Sequence, residues 1–467
     1  MEKYFKLKEH GTTVRTEFFA GLTTFMAMAY ILMVNAGMFA DLGVVSYGAI
    51  YIATALSAVV GTLLIGLLSN LPLAQASGMG LNAFFVYTVC FGLGLTYANA
   101  LVLVLFDGLL FIVLTVTGLR KLIFDAIPKA VKTAIPAGIG LFIAFLGLQN
   151  AGLIVNNDST LVSLKSFNMV SGANTWADIM PALITVLAVI AIAVLAHKNV
   201  RGAVLYGILG GTVVYYVLGL VTIPGFYASS IQPNLSLNPI EPFKEFAAQA
   251  FGKVFTEGFD FSAYVAANGT ANLVLVIITT ALAFCMVDMF DTMGTLYGAC
   301  ARGNMLTKEG DVPNMDKAML ADAIATTTGA ICGTSTVTTF VESSAGIGEG
   351  GRTGLSSMFT ALCFFIAMFL SPIAAIIPGV ATAAALIYVG VLMMNCVREI
   401  EWTDVSVAVP AFLTIAMMSF SYNISYGIAF GLISYVLIKV FSGKAKEVNA
   451  GTWIITALFL VMFFLTH

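Results

Sequence analysis

The sequence has little charge. Aspartate, glutamate, lysine and arginine make up 10% of its 467 residues, whereas soluble domains average about 25%. Its three histidines lie outside the apolar cores of the segments, which excludes a histidine metal cluster and a Ser-His-Asp triad. The six cysteines form no CxxC pair, so neither a zinc site nor a disulfide framework is indicated. No P-loop consensus occurs, and a net charge of −3 without a basic stripe argues against nucleic-acid binding.

Apolar residues are abundant instead. They account for 59% of the chain, and the mean hydropathy is +0.97. No soluble core could remove so much apolar surface from water, so the sequence predicts an all-α polytopic membrane protein. A membrane-crossing helix needs about 20 mainly apolar residues. We therefore expect fourteen transmembrane segments, near residues 16–38, 46–69, 74–92, 97–119, 129–150, 176–197, 202–221, 271–300, 316–333, 336–350, 355–377, 379–397, 404–420 and 424–441.

The basic residues orient these segments. With a cytoplasmic N-terminus and fourteen segments, all but three of the 21 lysines and arginines face the cytoplasm, the exceptions being Lys165, Lys244 and Lys253. Cytoplasmic loops carry such an excess. The polar stretch 222–270 is then external. Whether the apolar piece 452–466 also crosses the membrane is left open.

The two groups of seven segments indicate a duplication. An odd number of segments per half forces the halves into opposite orientations, which is the inverted repeat of many secondary transporters. The third segment of each half, LPLAQASGMGLNAFFVYTV and GTSTVTTFVESSAGIGEGG, is short, polar and rich in glycine. Broken helices of this kind must line a cavity or be buried in protein. Two tightly packed small-residue helices are the alternative.

Five acidic residues lie inside predicted segments without a basic partner: Asp107, Asp288, Asp291, Asp322 and Glu342. An acid at the bilayer centre costs about 2.5–3.5 kcal/mol on insertion scales. Such acids are therefore expected to be protonated, to bind a cation, or to accept hydrogen bonds from a substrate. A structural role, as a protonated acid bonded to backbone carbonyls, stays open for Asp107.

Segment eight carries a polar stripe on one helix face, because its polar residues are spaced three or four apart. These residues are Asp288, Asp291, Thr292 and Thr295. In the first segment, Thr24 and Tyr30 are candidates to line the same cavity, although helix–helix hydrogen bonding is the commoner role of threonine.

Four segments resemble a known family. TTFMAMAYILMVN, QASGMGLNAFF, VDMFDTMGTLYG and TSTVTTFVESSAGIGEGGRTGL are similar to signature segments of the AzgA-like adenine/guanine/hypoxanthine permeases. These permeases belong to the nucleobase–cation symporter-2 (nucleobase–ascorbate transporter) superfamily. The resemblance extends from about Arg15 to Lys446.

The resemblance implies a fold of two inverted seven-segment repeats. Segments three and ten would each combine a short strand with a half-helix. A core domain would contain segments 1–4 and 8–11, and a gate domain would contain segments 5–7 and 12–14. The expected divisions are 1–15 (cytoplasmic N-terminus), 16–119 (core), 120–221 (gate), 222–270 (external loop), 271–377 (core), 378–441 (gate) and 442–467 (C-terminal segment).

The resemblance also implies which residues bind substrate. The family's acid of segment eight, glutamate of segment ten and asparagine of segment three match Asp288, Glu342 and Asn82. The second aspartate of segment eight matches Asp291, so Asp291 and Asp288 are the expected proton carriers. Three further residues are expected to contact the substrate because of their side-chain chemistry: Phe340, Thr339 and Thr24. The aromatic ring of Phe340 would cover the flat face of the purine.

The expected function is proton-coupled uptake of purine nucleobases across the cytoplasmic membrane by alternating access. The preference between adenine and guanine/hypoxanthine is left open. An anion transporter or channel of the same architecture is the alternative, but Glu342 would repel an anion. An enzyme is not expected, because no nucleophile–base pair or metal cluster is present. The expected partners are the purine, protons, the lipid bilayer and, as an option, a second copy in a homodimer; no cofactor or metal is expected.

Overall fold

The computed structural model describes residues 2–118, 126–170, 174–227, 238–308 and 311–465. The elements of the first half, through the predicted external loop, are α1 Glu2–Phe5, α2 Val14–Met28, α3 Tyr30–Ala40, α4 Tyr47–Ser69, β1 Gln75–Ser77, α5 Met79–Ala83 continued by a π-helix Phe84–Gly92, α6 Tyr97–Thr117, α7 Lys129–Asn150, β2 Ile154–Asn157, β3 Leu161–Leu164, α8 Trp176–His197, α9 Ala203–Thr222, α10 Glu241–Glu245 continued by a π-helix Phe246–Ala250, α11 Lys253–Thr256 and α12 Ser262–Asn268.

The second half is also helical and contains one strand. Its elements are α13 Thr270–Arg302, α14 Met315–Cys332, β4 Val337–Thr339, α15 Ser343–Gly348, α16 Gly354–Ala367 continued by a 3-10 turn Met368–Leu370, α17 Ser371–Ala374, α18 Gly379–Met393 continued by a 3-10 turn Met394–Glu399, α19 Val405–Phe420, α20 Ile424–Phe441, a 3-10 turn Ala445–Glu447 and α21 Ala450–Leu465.

Ten helices in the described ranges are long and apolar enough to cross a membrane. They coincide with ten of the fourteen predicted segments. Of the other four, segments three and ten are interrupted by strands, α14 is rich in alanine, threonine and acids, and α19 has 16 residues. The count of fourteen and the inverted orientation stay predictions. Residues 228–237 of the predicted external loop, and the predicted cytoplasmic residues Arg120 and Lys121, lie outside the described residues.

Segments three and ten meet as two paired strands. β1 and β4 are antiparallel, with Gln75 opposite Thr339 and Ser77 opposite Val337. The pairing continues past both ends, because Phe340 N donates to Ala74 O (3.0 Å) and Gly78 N donates to Thr336 O (3.0 Å). All six strand residues are buried. Each strand thus satisfies the other's backbone groups, which is required wherever helix geometry is broken at membrane depth. A short helix follows each strand, as the family resemblance implies for both segments.

Helix packing falls into two sets. In one set α14 packs against α4 and α6, and α16 packs against α2 and α4. In the other, α18 packs against α7 and α8, while α19 packs against α7 and α20. The first set contains predicted core segments and the second contains predicted gate segments. The exact domain boundaries stay predictions.

Two glycines allow α4 and α16 to touch. A Cβ placed on Gly354 would lie 2.0 Å from the backbone O of Gly66, and a Cβ on Gly66 would lie 2.9 Å from Gly354 O. Because backbone atoms are on both sides of the contact, no side-chain rotation can relieve the clash. The sequence signal is only a glycine at each position, which is common in membrane helices.

We expect Gly354→Ala to destabilise the protein. Overpacking costs about 1–3 kcal/mol, so the melting temperature of the detergent-solubilised protein should fall. Gly298→Ala is the matched control, because a Cβ placed on Gly298 in α13 would have no neighbouring atom within 4 Å and alanine favours a helix by about 0.5–1 kcal/mol. A Gly354→Ala protein that melts at the same temperature as the control would contradict the close contact.

Candidate functional site

A tyrosine from the first segment meets the glutamate of segment ten. α2 ends at Met28 and α3 begins at Tyr30, whose hydroxyl donates to Glu342 Oε1 at 2.6 Å. Glu342 lies between β4 and α15, so strand pairing fixes its position. Tyr30 is buried, whereas Glu342 is half-buried. The bond is charge-assisted and short, and such bonds are stronger than neutral ones. It therefore orients the carboxylate.

Asp291 is the second carboxylate at this place. Thr338 Oγ1 on β4 donates to Asp291 Oδ2 at 3.2 Å. The charge of Asp291 interacts with both Glu342 and the Tyr30 hydroxyl, and Asp291 is half-buried. α3, α13 and β4 therefore bring two partly accessible carboxylates and a phenol together. We call Tyr30, Asp291, Thr338 and Glu342 the carboxylate site.

Asp288 points elsewhere, although it precedes Asp291 by three residues on α13. It is fully buried, and its Oδ2 accepts a hydrogen bond from Thr326 Oγ1 on α14 at 3.1 Å. Asp288 and Asp291 thus bond to different partners, Thr326 on α14 and Thr338 on β4. The role of Asp288 as a substrate ligand stays a prediction.

Asp322 on α14 holds the two strands together. Its Oδ1 accepts from Gln75 Nε2 at 2.9 Å and from Thr339 Oγ1 at 3.3 Å, and its Oδ2 accepts from Thr292 Oγ1 at 2.9 Å. Gln75 also donates to Thr339 Oγ1 at 3.1 Å. Thr339 is an expected substrate contact, but its hydroxyl is used in this buried cluster. The sequence identifies Asp322 as an intramembrane acid without giving it this role.

The remaining predicted substrate contacts are buried around the carboxylate site. Asn82 is bonded to Ser77, donating to its backbone O at 3.3 Å and accepting from its hydroxyl at 3.0 Å. The ring of Phe340 is 6% exposed. Thr24 lies against α15, because a Cβ on Gly346 would be 2.1 Å from Thr24 Oγ1. Asn82 and Thr24 therefore support the broken segments in this conformation, and their contact with substrate stays a prediction.

The described residues contain no group of three or more histidine, cysteine or acidic side chains suited to a metal ion. What the carboxylate site offers is a set of hydrogen-bond acceptors held by a tyrosine and a threonine. Such a set fits a neutral ligand that carries N–H groups.

The chain has clear relatives. A model of the Permease family matches residues 15–430. The adenine permease AdeP of Escherichia coli (strain K12) is 36% identical over 461 residues, which cover 99% of this chain and 95% of AdeP. The guanine/hypoxanthine permease PbuG of Bacillus subtilis (strain 168) is 38% identical over 471 residues, which cover 99% of each chain.

The chain belongs to the nucleobase–cation symporter-2 family. The family resemblance seen in the four motifs is confirmed. Members of this family are permeases and not enzymes. This permease is a multi-pass membrane protein, which is consistent with a location in the cell membrane.

The fold of the permease is also found in a solved structure. The transmembrane domain of a cyanobacterium bicarbonate transporter, BicA, superposes with a TM-score of 0.61 and 16% identity, covering 90% of this chain and 97% of that domain. At this identity the likeness shows a common fold and says nothing of the substrate.

We expect Asp322→Ala to destabilise the permease more than Asp322→Asn does. Alanine removes the acceptor of three buried hydrogen bonds, and a buried polar group left unsatisfied costs about 1–3 kcal/mol, whereas the Asn Oδ1 can still accept. Melting temperatures and protease resistance in detergent would measure this. Asp158→Asn, in the exposed turn between β2 and β3, is the control. Equal stability of the Ala and Asn variants would show that these bonds do not hold the strands.

Proposed function

We propose that this permease imports purine nucleobases together with protons by alternating access. Relatives named adenine permease and guanine/hypoxanthine permease match it along nearly the whole chain. The structural observation that supports the proposal is the carboxylate site, where Glu342 accepts from Tyr30 and Asp291 accepts from Thr338, with no basic residue among the hydrogen bonds described for these two acids. An uncharged ligand with several N–H donors suits it.

A purine base has these properties. Its ring and exocyclic N–H groups would donate to Glu342 and Asp291, while the Phe340 ring would cover the flat apolar face. Tyr30 occupies one oxygen of Glu342 and so directs the other toward the ligand. Recognition by buried polar pairs discriminates strongly, because a wrong ligand leaves these groups unpaired.

Proton coupling is supported by the acids themselves. A charged carboxylate at membrane depth costs about 2.5–3.5 kcal/mol, and proton binding removes the charge. Asp291 and Asp288 are our proposed carriers. Both lie on α13, one next to Glu342 and the other bonded to Thr326, so a proton on either would change the charge that the purine meets.

Alternating access is supported by contacts between the two helix sets. Arg201, between α8 and α9, forms an ion pair with Glu349 after α15, with 2.5 Å between Nη2 and Oε2. Arg201 is predicted to be cytoplasmic and Glu349 lies at the end of predicted segment ten, and the structure places their side chains in contact. The Glu349 side chain is 27% exposed and that of Arg201 56%. An exposed pair contributes about 0–1 kcal/mol, so it can break when the sets move.

An anion substrate is not favoured. Two carboxylates at the site would repel an anion, and the likeness to a bicarbonate transporter is a likeness of fold. A substrate uptake assay separates the two functions.

The test of the proposed function is uptake by the purified permease in liposomes. Labelled adenine, guanine, hypoxanthine and sulfate are compared with and without an imposed proton gradient. We expect at least one purine base to accumulate when the outside is acidic, with excess inosine competing weakly. Sulfate uptake without purine uptake would support the anion alternative. Purine uptake that needs sodium and ignores an uncoupler would contradict the proton coupling.

We expect Glu342→Gln to bind purine about tenfold to a hundredfold more weakly, because it loses a charged hydrogen bond of about 1.5–3 kcal/mol. The shape of the side chain is kept, so the melting temperature should stay near that of the wild type. Binding to the purified protein measures the effect, with the exposed Glu399→Gln as control. Unchanged affinity with a large drop in melting temperature would show a purely structural residue.

A further inference from the structure

Asp107 is a buried acid that the carboxylate site does not use. It lies in the middle of α6, within the apolar run LVLVLFDGLLF, and is fully buried. Neither of its carboxyl oxygens has a hydrogen-bond partner among the described residues. The sequence contains no lysine or arginine between Glu17 and Leu119 that could neutralise it. A buried carboxyl left without a partner is costly, so its presence needs an explanation.

The surroundings of Asp107 are acidic. The next residue, Gly108, lets α6 approach α14 so closely that a Cβ there would lie 2.4 Å from Thr327 Oγ1. α6 packs against both α13, which carries Asp288, and α14, which carries Asp322, so the three buried acids are near enough for their charges to interact.

None of the ion pairs within the described residues involves Asp107, Asp288 or Asp322. Lys253, the first residue of α11, is paired with Glu257 in the predicted external loop.

Hydrogen bonding distinguishes the three acids. Asp322 accepts three bonds, which stabilise its charged form. Asp288 accepts one bond on Oδ2, and its Oδ1 has no partner among the described residues. Asp107 accepts none in the described structure. Asp107 and Asp288 therefore have fewer hydrogen bonds than Asp322 to stabilise a negative charge on each of them.

We propose that Asp107 and Asp288 form a proton site apart from the carboxylate site. One proton, taken up from the external side, binds to a carboxyl oxygen of this pair and is released to the cytoplasm in the same cycle as the purine. The inference rests on the proposed function and deepens it. It adds Asp107 as a proton-binding residue beside Asp288.

The proton site is in contact with the substrate segment. Thr326 Oγ1, which bonds to Asp288, lies 3.2 Å from both the backbone N and the backbone O of Val337 on β4. β4 leads into Glu342, and Asp288 is one helical turn from Asp291. A change of charge on the pair therefore acts on two elements that form the carboxylate site.

The experiment uses Asp107→Asn, which keeps the shape of a neutral carboxyl and cannot bind the proton. Purified permease is placed in liposomes containing a pH-sensitive dye. The base used is whichever of adenine, guanine and hypoxanthine the wild type transports best. Proton influx is measured when this base is added, and exchange of labelled for unlabelled base across the membrane is measured separately. Asp158→Asn is the control for loss of an acid elsewhere.

We expect Asp107→Asn to fold, to exchange purine at a rate close to that of the wild type, and to lose purine-driven proton influx. Normal proton influx in Asp107→Asn would overturn the inference. So would loss of exchange in a folded variant, or failure to fold, because both would show a different role for Asp107. Wild-type exchange without any proton influx would instead overturn the proposed symport, and with it this site.

Discussion

The pairing of β1 with β4 inside the membrane is the constraint on which the site depends. Where a helix stops at this depth, backbone N–H and C=O groups lose their partners, and water cannot replace them. Each strand supplies the other's missing bonds, and Asp322 fixes the pair through Gln75 and Thr339. Thr338 belongs to β4 and Glu342 lies between β4 and α15, so the geometry of the carboxylate site depends on this pairing.

The intramembrane acids differ in the number of donors around them, and this difference separates their roles. Asp322, with three donors, is built into the fold. Glu342 and Asp291 each accept one side-chain bond and remain partly accessible, which suits a ligand that brings its own N–H groups. Asp107 and the free oxygen of Asp288 have no donor in the described structure, which suits a proton. On our proposals, acidic side chains of this kind would hold the fold together, bind the purine and carry the proton.

The sequence predicted the membrane class, ten of the segments and the two broken ones, because hydropathy and glycine content are local properties. It could not separate Asp288 from Asp291. At a spacing of three residues both fit one polar face, and only the packing of α13 against α14 and β4 directs them to different partners. Thr338 carries no signal that distinguishes it from its neighbours. The Tyr30–Glu342 bond joins residues 312 positions apart, and no local pattern encodes such a contact.

We propose that a purine binds between Tyr30, Asp291 and Glu342 at the end of the paired strands. An experimental structure of the permease with bound purine tests this most directly. We expect ring density at the carboxylate site, with purine nitrogen atoms within about 3.2 Å of the Glu342 and Asp291 oxygens. Purine density beside Asp107 and Asp288, with Glu342 still bonded only to Tyr30, would contradict it.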